Sequence, residues 1–207
     1  MSSIAIRLLL IFCCALSPLS SNSAQPVVLV VGDSLSAAYG INQDEGWVAL
    51  LQRRLEKDHP EFRVVNASIS GDTTRGGLGR IDAALRTHDP AVVVVELGGN
   101  DGLRGLPIKE MRSNLNKIIT KSLAAHARVL LVGMRIPPNY GLPYTKSFEA
   151  VFADLAKQLD IARVPFLLEG VALNPDLVQG DGIHPRAEAQ PRLLENVWPH
   201  LKPLLRQ

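Results

Sequence analysis

The sequence predicts a doubly wound α/β protein, a three-layer α/β/α sandwich around a five-stranded parallel sheet. Three observations predict it. Short β-branched runs alternate five times with amphipathic helical stretches, as in βαβ units joined by right-handed crossovers. The first run, Val27–Val31, is apolar without alternation, as a strand covered on both faces is. Segments rich in Gly, Asp, Ser and Asn follow the runs, where such a sheet puts its working loops.

The chain opens with Arg7, an apolar run from Leu8 to Leu16, and small or polar residues from Ser17 to Ala24. That order describes a secretory signal peptide, and the run is short for a bilayer span. Cleavage is expected after Ala24, with Ser23 as the alternative, so residues 1–24 are a leader and 25–207 a single domain in the periplasm or outside the cell. A retained anchor is the competing reading. A lipoprotein site at Cys13 or Cys14 is disfavoured, because Phe12 and Cys13 stand where a small residue is needed. Both cysteines lie in the leader, so the mature chain has no disulfide, no thiolate metal site and no cysteine nucleophile.

The first strand is Val27–Val31, closed by Gly32. A helix follows over Glu45–Lys57, with Trp47, Val48, Leu50, Leu51 and Leu55 on one stripe. Phe62–Val65 is the second strand. Thr73–Thr87 reads as a helix despite Gly76, Gly77 and Gly79. Ala91–Leu97, with four consecutive valines, is the strongest strand. Ile108–Ala125 is a helix, Val129–Gly133 a strand, and Arg135–Lys146 a loop carrying three prolines. Ser147–Leu159 is a helix and Val164–Leu168 the fifth strand. Val171–Gly182 is irregular, and Ala187–Leu205 is a last helix broken or shifted by Pro191 and Pro199.

Four segments at strand ends or before the last helix carry chemistry: Gly32-Asp33-Ser34, Asn66 to Asp72, Gly98-Gly99-Asn100-Asp101, and Asp181-Gly182-Ile183-His184. A serine hydroxyl needs a base, an imidazole supplies one near neutral pH, and its other nitrogen needs an acceptor. Asp181 and His184 can satisfy that within one turn. A developing oxyanion needs fixed neutral donors. The Ser34 N–H, the Gly71 N–H and the Asn100 amide are available. Asp33 is expected to bond backbone amides and hold the turn, and Asp72 with Thr73 to cap the next helix.

In order and spacing these segments resemble the blocks of SGNH (GDSL-like) hydrolases: Ser in G-D-S, a Gly, Asn in G-x-N-D, and D-x-x-H. The likeness spans Val27 to about Leu204. It extends to the periplasmic thioesterase, lysophospholipase and arylesterase group through V-V-G-D-S-L-S-A-A-Y-G, N-A-S-I-S-G-D-T and E-L-G-G-N-D-G-L-R-G. The resemblance implies a flavodoxin-like SGNH fold, Ser34 as nucleophile, Asp181 and His184 as its partners, and Gly71 and Asn100 as oxyanion donors. It implies hydrolysis of aryl esters, acyl thioesters and lysophospholipids. The absent G-x-S-x-G elbow argues against the ordinary α/β-hydrolase pattern.

Leu103 and Leu106 in the loop after Asn100, with Ile136 and Tyr140 after the fourth strand, are expected to line an apolar substrate groove. Glycines around Leu103 and Leu106 suit a loop that moves over an acyl chain. The expected partner is a small acyl ester or thioester. No cofactor, metal, nucleic acid or stable membrane insertion is expected of the mature chain, which is read as a monomer. No His/Asp/Glu cluster has metal-ligand spacing, no G-x-G-x-x-G follows the first strand, and a formal charge of +2 gives no case for nucleic acid. His59, His88, His126 and His200 read as surface residues, Trp47 as core and Trp198 as packing of the last helix. A carbohydrate deacetylase on the same fold is the enzymatic alternative, disfavoured by the apolar loops. A periplasmic lipid-binding module with a vestigial site is the other, disfavoured by the complete catalytic set.

Overall fold

The structure is a computed structural model that describes residues 25–206. The expected leader at residues 1–24 lies outside these. Five strands form one parallel sheet: β1 (Val27–Gly32), β2 (Arg63–Asn66), β3 (Val92–Glu96), β4 (Arg128–Val132) and β5 (Ala162–Val164), in the order β2-β1-β3-β4-β5. Every residue of β1 and β3 is buried, which accounts for the valine-rich run of each; Glu96, the last residue of β3, is the one charged side chain among them.

Helices cover both faces. α1 (Trp47–Asp58) packs with α6 (Gln190–Leu201) on one, and α2 (Thr74–His88), α4 (Ile108–Ala124) and α5 (Leu142–Gln158) pack side by side on the other. Right-handed crossovers require this division. The step from β1 to β2 runs in the opposite direction to the steps that follow, so its helix lies on the opposite face. The order therefore reverses between β1 and β3, and the crevice at their carboxyl ends is where a doubly wound sheet takes its ligand.

The expected elements are present, with three shifts. The fifth strand ends at Val164 instead of beginning there. Pro165 cannot donate to the ladder, and Phe166, Leu167 and Leu168 are buried as a turn whose Leu167 N–H donates to Gly133 O at 3.0 Å. α5 starts at Leu142, ahead of the expected Ser147, because Pro143 occupies its first turn, where a missing N–H costs nothing. A five-residue helix, α3 (Gly99–Leu103), replaces the expected loop start after β3. α6 keeps Pro191 in its first turn and continues through Pro199, flanked by short 3₁₀ turns at Ala187–Ala189 and Lys202–Leu205. Gly77 in α2 is required by packing, since a Cβ there would stand 2.3 Å from Leu97 Cδ1. Trp47 is fully buried as expected. No helix among the described residues is long and apolar enough to cross a membrane.

Candidate active site

The chain leaves β1 at Gly32 and turns back over its own end. Asp33 Oδ1 accepts the Leu35 N–H at 3.1 Å, the Asx turn expected of it, and Asp33 O accepts the Ala37 N–H at 2.9 Å. Ser34 is held half-buried at the rim. The segment after β2 is stitched to the same strand end: Ile69 N–H donates to Gly32 O at 3.1 Å, and Asn66 Nδ2 donates to Ser36 O at 2.8 Å. Arg80 of α2 secures both. Its Nε donates to Asp72 Oδ2 at 2.8 Å and its Nη2 to Gly32 O at 3.2 Å, and Nη1 bonds the Ala67 carbonyl. Thr73 caps α2, and Asp72 bonds the Thr73 N–H besides pairing with Arg80.

Beyond β3, Gly98 has φ +114°, and a Cβ there would lie 3.2 Å from Phe152 and 3.3 Å from Met111. That glycine starts α3 and brings Asn100 to the rim. Buried Asp101 anchors the helix by accepting the Thr74 N–H at 2.8 Å and the Thr74 hydroxyl at 2.6 Å. Asn100 Nδ2 donates one hydrogen to Asp33 Oδ2 at 3.1 Å, and its Oδ1 faces Arg104 Nη2 at 3.5 Å. Arg104 Nη2 also donates to Gly71 O at 2.9 Å, so one guanidinium bridges Gly71 and Asn100. Gly71 holds φ +79°. No acceptor among the described residues takes the N–H of Ser34 or of Gly71.

His184 arrives from the loop before α6. Asp181 Oδ1 accepts the N–H groups of Ile183 at 2.9 Å and His184 at 3.0 Å, and Gly182 supplies the positive φ that closes the turn. Asp181 Oδ2 lies 2.6 Å from His184 Nδ1, and His184 Nε2 lies 2.9 Å from Ser34 Oγ. With its proton on Nδ1, the imidazole donates to Asp181 and accepts from the serine. The His184 N–H, then its ring and the Ile183 N–H, hold the Asp181 carboxyl down at about 2, well below its ordinary value. The Tyr39 ring lies 4.5 Å from that of His184, tilted by 41°. Gln179 Nε2 ties the loop to the nucleophile turn by donating to Tyr39 O at 2.8 Å, and to Pro185 O at 3.1 Å.

The five polar candidates thus lie on one rim, tied to one another by these bonds, although they are far apart in sequence. Sequence reasoning missed Arg80, Arg104, Gln179 and Glu96. Each is an ordinary surface or strand residue in sequence, and only the fold shows what it reaches. It also missed half of what Asp33 does, since the Asn100 contact spans two strands. Burial raises the Asp33 carboxyl to about 6 against the bonds from Leu35 and Asn100.

The four apolar candidates meet at the loop after Asn100. Tyr140 Oη donates to Leu103 O at 2.9 Å, and Tyr144 Oη donates to Leu106 O at 3.1 Å. Leu106 and Tyr140 are exposed and Leu103 half-buried. Ile136 is buried beneath them, its Cγ2 2.7 Å from where a Gly102 Cβ would stand. Gly102 therefore serves close packing, while Gly105, at φ +63°, makes the turn. Among the described residues no group of His, Cys, Asp and Glu is arranged to hold a metal ion.

Residues 30–191 match the model of the GDSL-like lipase/acylhydrolase family. The chain is 54% identical over 198 residues to esterase TesA of Pseudomonas aeruginosa, covering 96% of this chain and 98% of that one. It is 44% identical over 183 residues to thioesterase 1/protease 1/lysophospholipase L1 of Escherichia coli, covering 88% and 86%. Among solved structures it is similar to the psychrotrophic esterase EstA from Pseudoalteromonas sp., inhibited by monoethylphosphonate. That likeness has a TM-score of 0.83 and 41% identity, over 87% of this chain and 99% of the other.

Proposed function

The chain belongs to the GDSL-like lipase/acylhydrolase family and is an ester-hydrolysing enzyme, and on that premise we propose that it works through an acyl-enzyme on Ser34. The observation that carries this reading is the continuous contact from Asp181 Oδ2 through His184 to Ser34 Oγ, at 2.6 and 2.9 Å. Ser34 Oγ attacks the carbonyl carbon as its proton passes to His184 Nε2. Asp181 fixes the imidazole and offsets the charge it gains. The tetrahedral oxyanion takes the free N–H groups of Ser34 and Gly71 and the second Asn100 amide hydrogen, the first being committed to Asp33. Collapse expels the alcohol or thiol, which takes the proton from His184. Water, deprotonated by His184, then attacks the acyl carbon, and the acid leaves with Ser34 restored.

We assign aryl esters, fatty acyl thioesters and lysophospholipids as substrates. Exposed Leu106 and Tyr140 beside Asn100, with Leu103, support an acyl-chain path, and exposed Tyr39 against His184 supports an apolar leaving group. Ile136 would shape that path from below. The names of the relatives, an esterase and a thioesterase/lysophospholipase, support the same range. No cofactor enters the cycle. We further propose that residues 1–24 are removed on export and that residues 25–207 work as one periplasmic or secreted domain, as a monomer. A phosphonate is what an activated serine captures. Labelling with a fluorophosphonate should modify Ser34, and Ser34→Ala should lose both the label and turnover, by about 10⁴ or more. Persistent labelling of another serine refutes the assignment. A hydrolysis panel from acetyl to palmitoyl esters and thioesters tests the substrate class, and N-terminal mass spectrometry of the exported protein tests the leader.

A further inference from the structure

Glu96 closes β3 after four valines and is fully buried, in a place where the strand pattern calls for a fifth apolar side chain. Its Oε1 meets no donor among the described residues. A buried carboxyl with an orphan oxygen costs stability that a valine would not, so its presence calls for a task. That task is visible in what the other oxygen holds. Oε2 accepts the Ser36 hydroxyl at 2.7 Å and the Asp33 N–H at 3.3 Å, the residues on either side of Ser34-Leu35.

We propose that Glu96 is a positioning residue for the nucleophile, a buried acceptor in the sheet that clamps the Asp33–Ser36 turn from beneath. The inference rests on Ser34 being the nucleophile. Gly32, in register with Glu96 across the β1–β3 ladder, clears the space for the clamp. A Cβ at Gly32 would stand 2.7 Å from Ser36 Oγ and 2.9 Å from Glu96 Oε2. The clamp reaches the oxyanion side as well. It holds the Asp33 backbone, and the Asp33 carboxyl in turn holds Asn100 Nδ2. The polar and titratable groups that act on Glu96 are Asp33 and Ser36 of the turn. Burial first, and then the Asp33 charge, push the Glu96 carboxyl well above its ordinary value. The Glu96 carboxyl can accept both bonds whether it is charged or neutral.

The test compares Glu96→Ala with Glu96→Gln on a short aryl ester, with rates expressed per site titrated by fluorophosphonate so that misfolded protein is not counted. Glu96→Ala should lower kcat about ten- to a hundredfold with KM unchanged. Glu96→Gln keeps a neutral acceptor. Its kcat should stay within about threefold of wild type, with the acid limb of the pH profile unmoved. Full per-site kcat in the Ala variant overturns the proposal, and so does a Gln variant as slow as the Ala one. If Glu96→Ala does not accumulate as folded protein, Ser36→Ala severs one arm of the clamp. Lowered kcat at unchanged KM is then expected, and wild-type kcat overturns the proposal. A wild type that takes no label on Ser34 refutes the underlying nucleophile assignment instead, so the two failures read differently.

Discussion

The turn that carries Ser34 and the loop that carries His184 meet at the catalytic contact of 2.9 Å, and they are built by different means. The serine turn grows directly from a strand buried on both faces. Glu96 fixes it from below, Arg80 at the Gly32 carbonyl, and Asn66 at the Ser36 carbonyl. The histidine loop has no strand behind it. It is closed at its base by a single antiparallel bridge between Val178 and Pro185, shaped by its own Asp181 turn, and joined to the serine turn by the Gln179 amide. The contrast separates two jobs. A nucleophile and its oxyanion donors gain from rigid pre-organisation, since misplacement forfeits transition-state stabilisation. An imidazole that exchanges a proton with Ser34 and with the leaving group needs a fixed tautomer more than an immobile backbone, and the short Asp181 contact supplies it.

Variants on each side of that contact put the contrast to measurement. The largest effect after loss of Ser34 itself is expected on the rigid side. Asn100→Ala should fold and lose roughly 10²–10³ in kcat, the usual cost of one oxyanion donor. Asn100→Asp should be at least as damaging, since a carboxylate would face the developing charge. Steady-state kinetics decide it, and a near-normal kcat in the Ala variant would remove Asn100 from the donor set.

On the loop side, Gln179→Ala should cost about tenfold in kcat/KM while the melting temperature barely moves, because it frees a surface loop and leaves the sheet intact. A large drop in melting temperature with intact activity would reverse the contrast.

Chain-length selection comes next. Leu106→Ser should weaken long-chain thioester hydrolysis severalfold more than phenyl acetate hydrolysis, since each buried methylene is worth at most about 0.8 kcal/mol. Ile136→Ser tests the same path less cleanly, because Ile136 is buried against Gly102 and its loss also damages packing. Equal losses on both substrates in Leu106→Ser would place the acyl path elsewhere.

The smallest effect concerns pH. Burial raises Asp33 from 3.8 to about 6, so the fold favours its protonated form. That contribution is complete below pH 3.8 and is lost as pH rises through about 6. Asp33→Asn removes it, so the melting temperature of the variant relative to wild type should climb across this window and level off above it. Parallel curves would show that burial leaves Asp33 unshifted. Asp181 acts in the opposite sense, below its ordinary value and down to about 2, outside that window.

The same contrast explains what was legible in the sequence. The rigid half was readable because it grows from patterned elements. Apolar runs gave β1 and β3, and Ser34 and Asn100 follow their ends. The Asp181–His184 turn was readable because it is local, three residues closing on themselves. What joins the parts was not readable. Gln179 and Tyr39 are 140 residues apart, and Glu96 and Ser36 are 60 apart. Such contacts leave no periodicity and no short-range spacing. The fifth strand and the start of α5 depart from the expected bounds because Phe166–Leu168 are buried without being strand, and because Pro143 opens a helix instead of extending a loop.

The Gln179 tether has a consequence for how the enzyme fails on heating. Local openings are governed by the contacts of the segment that opens, not by the stability of the whole domain. The loop from Gln179 to Pro185 is therefore expected to exchange its amide hydrogens ahead of the sheet, which hydrogen-exchange mass spectrometry would read. In that state the β-ladder persists while the imidazole has left the serine. Inactivation and unfolding are then expected as two events, an assay of activity reporting the early one and circular dichroism the late one.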